Sequence, residues 1–209
     1  MNIIILGGGT PNKFGHDFVL KAREEGHKVI CFSHKFNGLN DKDQYVIDYT
    51  DVYVTKSLFK EIISSVNTID LLFINANGHS YPSFEPNHLL NPDPMQYQKS
   101  MNVYTIIPHM LIAECYEKMP AKSKVVYMTT LLALTFILRP EFPKAYGYAA
   151  NKSFMTQLML GFAQNRTKDI NFSILSPHFP YDDLSKYKKV FDHCYNSIMN
   201  DNENVNAIS

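Results

Sequence analysis

Short apolar runs alternate with helix-period segments along most of this chain, and that alternation leaves few architectures open. Ile3–Leu6 is the first run. Four consecutive apolar residues show no in–out alternation, so both faces of the strand they form must be covered. Phe14–Glu25 has helical periodicity and stops at Gly26. Lys28–Phe32 and Tyr45–Ile47 read as strands, Lys56–Val66 as a helix and Leu71–Ile74 as the next strand. A loop rich in proline follows, with Pro82, Pro86, Pro92 and Pro94, and then a long helical pattern over Met95–Lys118 that Pro108 bends or divides. Lys124–Met128 is a strand, Leu131–Pro143 an apolar loop, Tyr146–Arg166 a helix and Asn171–Leu175 a strand. Leu184–Met199 reads as the last helix and Val205–Ile208 as a short final strand. Strands alternating with helices imply right-handed βαβ units and a parallel sheet. The expected fold is α/β, a doubly wound parallel sheet with helices on both faces, in a single domain over residues 1–209. The pattern does not reveal strand order.

Composition excludes several classes of function. Lys plus Arg and Asp plus Glu balance at 20 each, so no long-range field draws this chain to nucleic acid or to a membrane surface. Cys31, Cys115 and Cys194 are odd in number and far apart, which argues against a disulfide framework and for a reducing compartment. The first apolar run has no basic flank and is too short for a signal peptide, and no later run reaches membrane length. The expected location is the cytoplasm. The eight His are scattered without metal-ligand spacing, so no metal site is expected.

Tyr148-Ala149-Ala150-Asn151-Lys152 carries the chemistry. Residues four apart share a helix face, which sets a phenol beside an ammonium. Tyr normally titrates near about 10, and proton exchange near neutrality needs about three units less, or roughly 4 kcal/mol. One charge about 4 Å away at an effective dielectric of about 20 supplies roughly that much. With 13 Tyr in 209 residues, about one Tyr-x-x-x-Lys is expected by chance at this Lys content. Context therefore decides.

That context begins at the first strand. Gly7-Gly8-Gly9-Thr10-Pro11-Asn12-Lys13-Phe14-Gly15 joins it to the first helix. Glycines at such a turn let the backbone approach a pyrophosphate, and helix N-terminal amides favour the anion. Lys13 adds a cation there. At the end of the second strand, Ser33-His34-Lys35 contains no acid. An acid there would accept from a ribose 2′-hydroxyl, whereas a basic cluster suits a 2′-phosphate. Lys13, His34 and Lys35 lean toward NADP(H), with NAD(H) the other candidate.

Taken together, these segments resemble the short-chain dehydrogenase/reductase family from about Met1 to about Pro177. Gly9 and Gly15 match the outer glycines of its Gly-x-x-x-Gly-x-Gly turn, and either Lys13 stands at the middle one or the turn is shifted by one residue. Asp48-Tyr49-Thr50-Asp51 resembles its Asp-x-Thr-Asp segment, whose first Asp meets the adenine. Asn75-Ala76-Asn77-Gly78 resembles Asn-Asn-Ala-Gly, which lies along the cofactor. Asn102-Val103 resembles the helix-centre Asn-Val, and Thr129-Thr130 stands where the family has Ser-Ser. Tyr146-Gly147-Tyr148-Ala149-Ala150-Asn151-Lys152 resembles the start of the catalytic helix, and Pro177-His178 replaces Pro-Gly. The spacing from Thr130 to Tyr148 is stretched near Phe136–Phe142, and the region after the sixth strand is short.

The resemblance implies a Rossmann-type fold and an oxidoreductase that moves a hydride between NADP(H) and a small carbonyl or alcohol substrate. Tyr148 would be the general acid in reduction, Lys152 would lower its pKa and hold the nicotinamide ribose, Thr130 would bond the substrate oxygen, and Asn102 would anchor a water relay to Lys152. His79, Tyr81, Thr135, Phe142, His178 and Phe179 fall in loops at the expected pocket. The Tyr146–Arg166 helix is apolar nearly all round, which fits burial against a subunit in a homodimer or homotetramer. The altered turn, Thr130, Pro177-His178 and the short C-terminal region support a second reading, an NADP(H)-binding sensor or regulator with little catalysis. A nucleotide-sugar epimerase shares Tyr-x-x-x-Lys but normally carries a larger substrate domain.

Overall fold

The computed structural model describes residues 1–36, 43–76, 93–130, 133, 146–177 and 182–200. Six strands form one sheet: β1 (Asn2–Leu6), β2 (Lys28–Ser33), β3 (Gln44–Val46), β4 (Leu71–Ile74), β5 (Lys124–Met128) and β6 (Asn171–Leu175). Their order is β3-β2-β1-β4-β5-β6 and every pairing is parallel. The chain therefore winds outward from β1 in one direction and then from β4 in the other. Between those two strands lies the crevice where such sheets hold ligands.

The side chains of β1 explain its lack of alternation. Ile3 and Ile5 pack with α1 (Phe14–Glu24) and with the last helix, Leu184–Asn200, through Phe14, Phe18, Phe191 and Tyr195. Ile4 and Leu6 face the opposite layer, with Phe59 of α2 (Val52–Ser64), Val103 and Met155. From Ile3 to Leu6 both faces are buried, so polar residues have no place in that run.

The long helical pattern after β4 is α3 (Pro94–Met101), a π-helical stretch (Asn102–Ile106) and α4 (Ile107–Tyr116). Pro108 explains the stretch. A proline ring collides with the carbonyl four residues back and offers no N–H of its own. Just before it the helix widens by one residue, and the Ile107 N–H donates to the Asn102 carbonyl, an i to i−5 bond. The chain thus accommodates Pro108 without dividing. Then follow α5 (Tyr146–Asn165) and α6 (Leu184–Asn200).

Helix α2 begins at Val52, four residues before the expected Lys56. Asp51 is the cause, since its Oδ1 accepts from the backbone N–H groups of Tyr53 and Val54, each at 3.0 Å. Asp51→Ala is expected to lower the unfolding free energy by about 1 kcal/mol. An unchanged urea midpoint would show that this cap does not hold the helix start.

The expected loops around residues 77–92 and 131–143 and the strand at 205–208 lie outside the described residues, Ala133 excepted. No helix among the described residues is long and apolar enough to cross a membrane. All three cysteines are buried free thiols.

Candidate active site

Because all six strands are parallel, their carboxyl ends and the loops that follow share one edge of the sheet. The glycine turn, Ser33–Lys35, Asp48–Tyr49, Asn75–Ala76, Thr129–Thr130 and Pro177 all lie there.

At the centre of that edge the glycine turn is clamped against the end of β4. Gly7 has φ +98°, a conformation that side chains rarely adopt. Its carbonyl accepts from Asn75 Nδ2 at 2.7 Å, and the Asn75 N–H donates to the Leu6 carbonyl at 2.8 Å. Gly15, in the first turn of α1, lies against the same two groups, so closely that a Cβ would overlap Asn75 Nδ2 and the Gly7 carbonyl. Gly9 lies against the Ser33 side chain and the Lys35 carbonyl, which joins the turn to the end of β2. Asn12 supplies the remaining left-handed residue at φ 57°, a conformation Asn tolerates. Thr10 is half-buried in the turn.

The N-cap residue of α1, Lys13, has no side-chain oxygen and makes no side-chain capping bond. Lys13 is exposed and Phe14 is buried in the core below it. His34 and Lys35 are both exposed beyond β2, while Ser33 is buried. Partial burial, and then the neighbouring Lys35 charge, hold the His34 imidazole below its usual pKa, so Lys35 is the standing cation at that corner. The His34 ring sits 5.9 Å from that of Tyr49.

Asp48 is exposed, and its Oδ1 accepts from the Thr50 N–H at 2.7 Å and from the Thr50 hydroxyl at 2.6 Å. Those bonds hold its carboxyl below the usual range. The carboxylate thus shapes its own loop as well as facing solvent. The Tyr49 carbonyl accepts from Asn102 Nδ2 at 2.9 Å, and Asn102 Oδ1 accepts from Gln98 at 2.8 Å. Neither of these side-chain bonds of Asn102 reaches Lys152.

Lys152 is the most constrained ionisable group at this edge. Its side chain crosses from α5 to the ends of β4 and β5, where Nζ donates to the Met128 carbonyl at 2.7 Å and to the Ala76 carbonyl at 3.2 Å. It is 0% exposed. Burial alone pulls its pKa down from 10.5 to about 7. Ala76 thereby links the two halves of the site, since its Cα closes over Gly7 and its carbonyl receives Lys152. Tyr148, one turn earlier on α5, is half-buried. Its ring lies 5.9 Å from Lys152 Nζ and meets Tyr104 edge-on at 5.2 Å.

The two threonines after β5 have different surroundings. Thr129 is buried and its hydroxyl meets that of Thr156 at 3.1 Å, which fastens α5 to the strand end. Thr130 is half-buried, and its backbone carbonyl accepts from the Ala133 N–H at 2.9 Å. Pro177 is half-buried after β6. Asn77, Gly78 and His178, with the expected pocket residues His79, Tyr81, Thr135, Phe142 and Phe179, lie outside the described residues.

Two residues against Lys152 escaped the sequence reading. Tyr104 and Tyr127 present their rings to Nζ at 5.4 Å and 4.8 Å. Tyr127 sits in the apolar run of β5, where an aromatic reads as core. Tyr104 stands two residues past Asn102, and only the widened helical turn settles where it faces.

No protein-family model matches this sequence, and no curated protein matches it either. Solved structures do match in fold. An oxidoreductase of the short-chain dehydrogenase/reductase family from Brucella ovis, in complex with a partially ordered NAD, superposes with a TM-score of 0.74 at 16% identity, over 99% of this chain and 96% of that one. A mutant Serratia marcescens short-chain dehydrogenase/reductase gives 0.72 at 16% identity, over 94% and 88%. An NADH-dependent reductase complexed with NAD gives 0.69 at 20% identity, over 85% and 78%. The six-stranded order, the glycine turn at the switch point and these superpositions agree: the chain has the fold of short-chain dehydrogenase/reductase structures.

Proposed function

We propose that this chain is a short-chain dehydrogenase/reductase-like enzyme, a single domain over residues 1–209, that moves a hydride between NADP(H) and a small carbonyl or alcohol. The observation that carries this reading is Lys152. Burying an ammonium without a carboxylate partner is costly, and groups so perturbed concentrate at functional sites. This one sits one helical turn from a half-buried phenol and is tied through Ala76 to a glycine turn.

The residues present suit a dinucleotide. The N-terminal amides of α1 and the Lys13 cation favour an anionic group at the turn. Lys35 and His34, in a Ser33–Lys35 segment that contains no acid, suit a 2′-phosphate better than a free 2′-hydroxyl. Asp48, Asn75, Ala76 and Pro177 border the same edge. Two of the matched structures are described as NAD complexes, which supports a nicotinamide cofactor. When bound, that cofactor carries the hydride. Tyr148 gives a proton to the carbonyl oxygen in reduction and takes one back in oxidation. Lys152 places positive charge beside that phenol, Thr130 donates to the substrate oxygen, and Asn102 supports the helix turn beside them. Phe154 and Leu160 are exposed apolar side chains on α5, which suits a homodimer or homotetramer. The free thiols suit the cytoplasm.

Titration with NADPH and NADH tests the cofactor. NADPH is expected to bind tighter, and Lys35→Glu to weaken NADPH about tenfold or more while sparing NADH. Tighter binding of NADH would overturn the preference, and binding of neither would overturn the cofactor reading. The second reading, a regulator, rests on Lys13 at the middle glycine and Thr130 at the usual serine. Tight NADPH binding without turnover across a carbonyl panel would favour it.

A further inference from the structure

Among the described residues Lys152 has no counter-ion of the kind a buried ammonium usually has: no salt bridge reaches it and no charged side chain shifts it. What faces Nζ instead is aromatic on three sides. Tyr127 comes from β5 at 4.8 Å, Tyr104 from the π-helical stretch at 5.4 Å and Tyr148 from its own helix at 5.9 Å. The end of β4 contributes only the Ala76 carbonyl, and β5 adds the Met128 carbonyl. A ring face attracts a cation through its quadrupole, most strongly where water is excluded. Tyr127 has the nearest ring and is itself buried, and its hydroxyl has no hydrogen-bond partner among the described residues. The phenol oxygen does not account for a Tyr at this place; the ring over the ammonium does.

We propose that Tyr127 is a positioning residue for Lys152, its ring face holding the ammonium in the protein interior where a carboxylate would otherwise stand. The consequence for catalysis rests on the oxidoreductase reading above; the hold on Lys152 does not.

A fluorination series at position 127 tests this in the full chain, without cofactor or substrate. Tyr127→Phe keeps the ring and removes the unpartnered hydroxyl. Mono-, di- and trifluorinated phenylalanines at 127 then drain the ring quadrupole with little change of volume. The readout is the titration midpoint of Lys152 in spectra of the chain labelled at lysine Cε, with the signal assigned by its absence in Lys152→Met. Tyr127→Phe is expected to keep the wild-type midpoint, and each added fluorine to lower it, to about one unit in all. Should Tyr127→Phe not fold, fluorinated tyrosines at 127 provide the same series. A midpoint that stays flat across fluorination would overturn the proposal, even if Tyr127→Leu moves it, because that pattern reports packing alone. A flat series would leave hydride transfer untouched, and failure of hydride transfer would leave the series interpretable.

Discussion

Tyr148→Phe is expected to lower NADPH-dependent carbonyl reduction by roughly 10²- to 10⁴-fold, the usual worth of a placed general acid. The substitution removes one oxygen and keeps the ring that meets Tyr104 at 5.2 Å. The packing of α5 on the π-helical stretch should therefore persist, with NADPH affinity and melting temperature near wild type. On the proposed mechanism the loss should fall on kcat, because the phenol would act on the reacting oxygen. Full activity in Tyr148→Phe would remove this residue as the acid. A loss of NADPH binding equal to the loss of rate would move its role to the binding step.

Gly15→Ala is expected to cost about 3 kcal/mol, from overpacking together with a broken buried hydrogen bond. A Cβ at Gly15 overlaps two groups that are bonded to each other, Asn75 Nδ2 and the Gly7 carbonyl. Neither can yield freely. The carbonyl belongs to a residue at φ +98°, and Asn75 is anchored by its own N–H to Leu6. The alanine should lower the urea midpoint and weaken NADPH together, since the same contact holds the glycine turn against β4. Gly161→Ala is the matched control. It lies in α5 with nothing among the described residues within 4 Å of its added Cβ, so Ala should stabilise by roughly 0.5–1 kcal/mol. Equal midpoints for the two variants would show that the clamp at Asn75 is soft.

Much of the fold was legible because strands covered on both faces must be apolar throughout. Ile3–Leu6 and Leu71–Ile74 could be read directly for that reason. Helix α2 was harder, because Asp51 falls in the Asp48–Asp51 segment that reads as a cofactor-loop pattern. Its two hydrogen bonds make it the cap, and they place the helix start four residues earlier. Pro108 marked a disturbance in the long helix. Whether that disturbance broke the helix or widened it depended on the Asn102 carbonyl finding the Ile107 N–H.

Local pattern in the sequence determined the alternation of elements, the glycine turn and the Tyr148–Lys152 spacing, because period and turn chemistry act between near neighbours. Only the tertiary structure decided the order β3-β2-β1-β4-β5-β6, the clamp of Asn75 on Gly7 and the placement of the Tyr104 and Tyr127 rings against Lys152. Those contacts join residues far apart in the chain, and nothing in the spacing of a sequence records which distant faces meet.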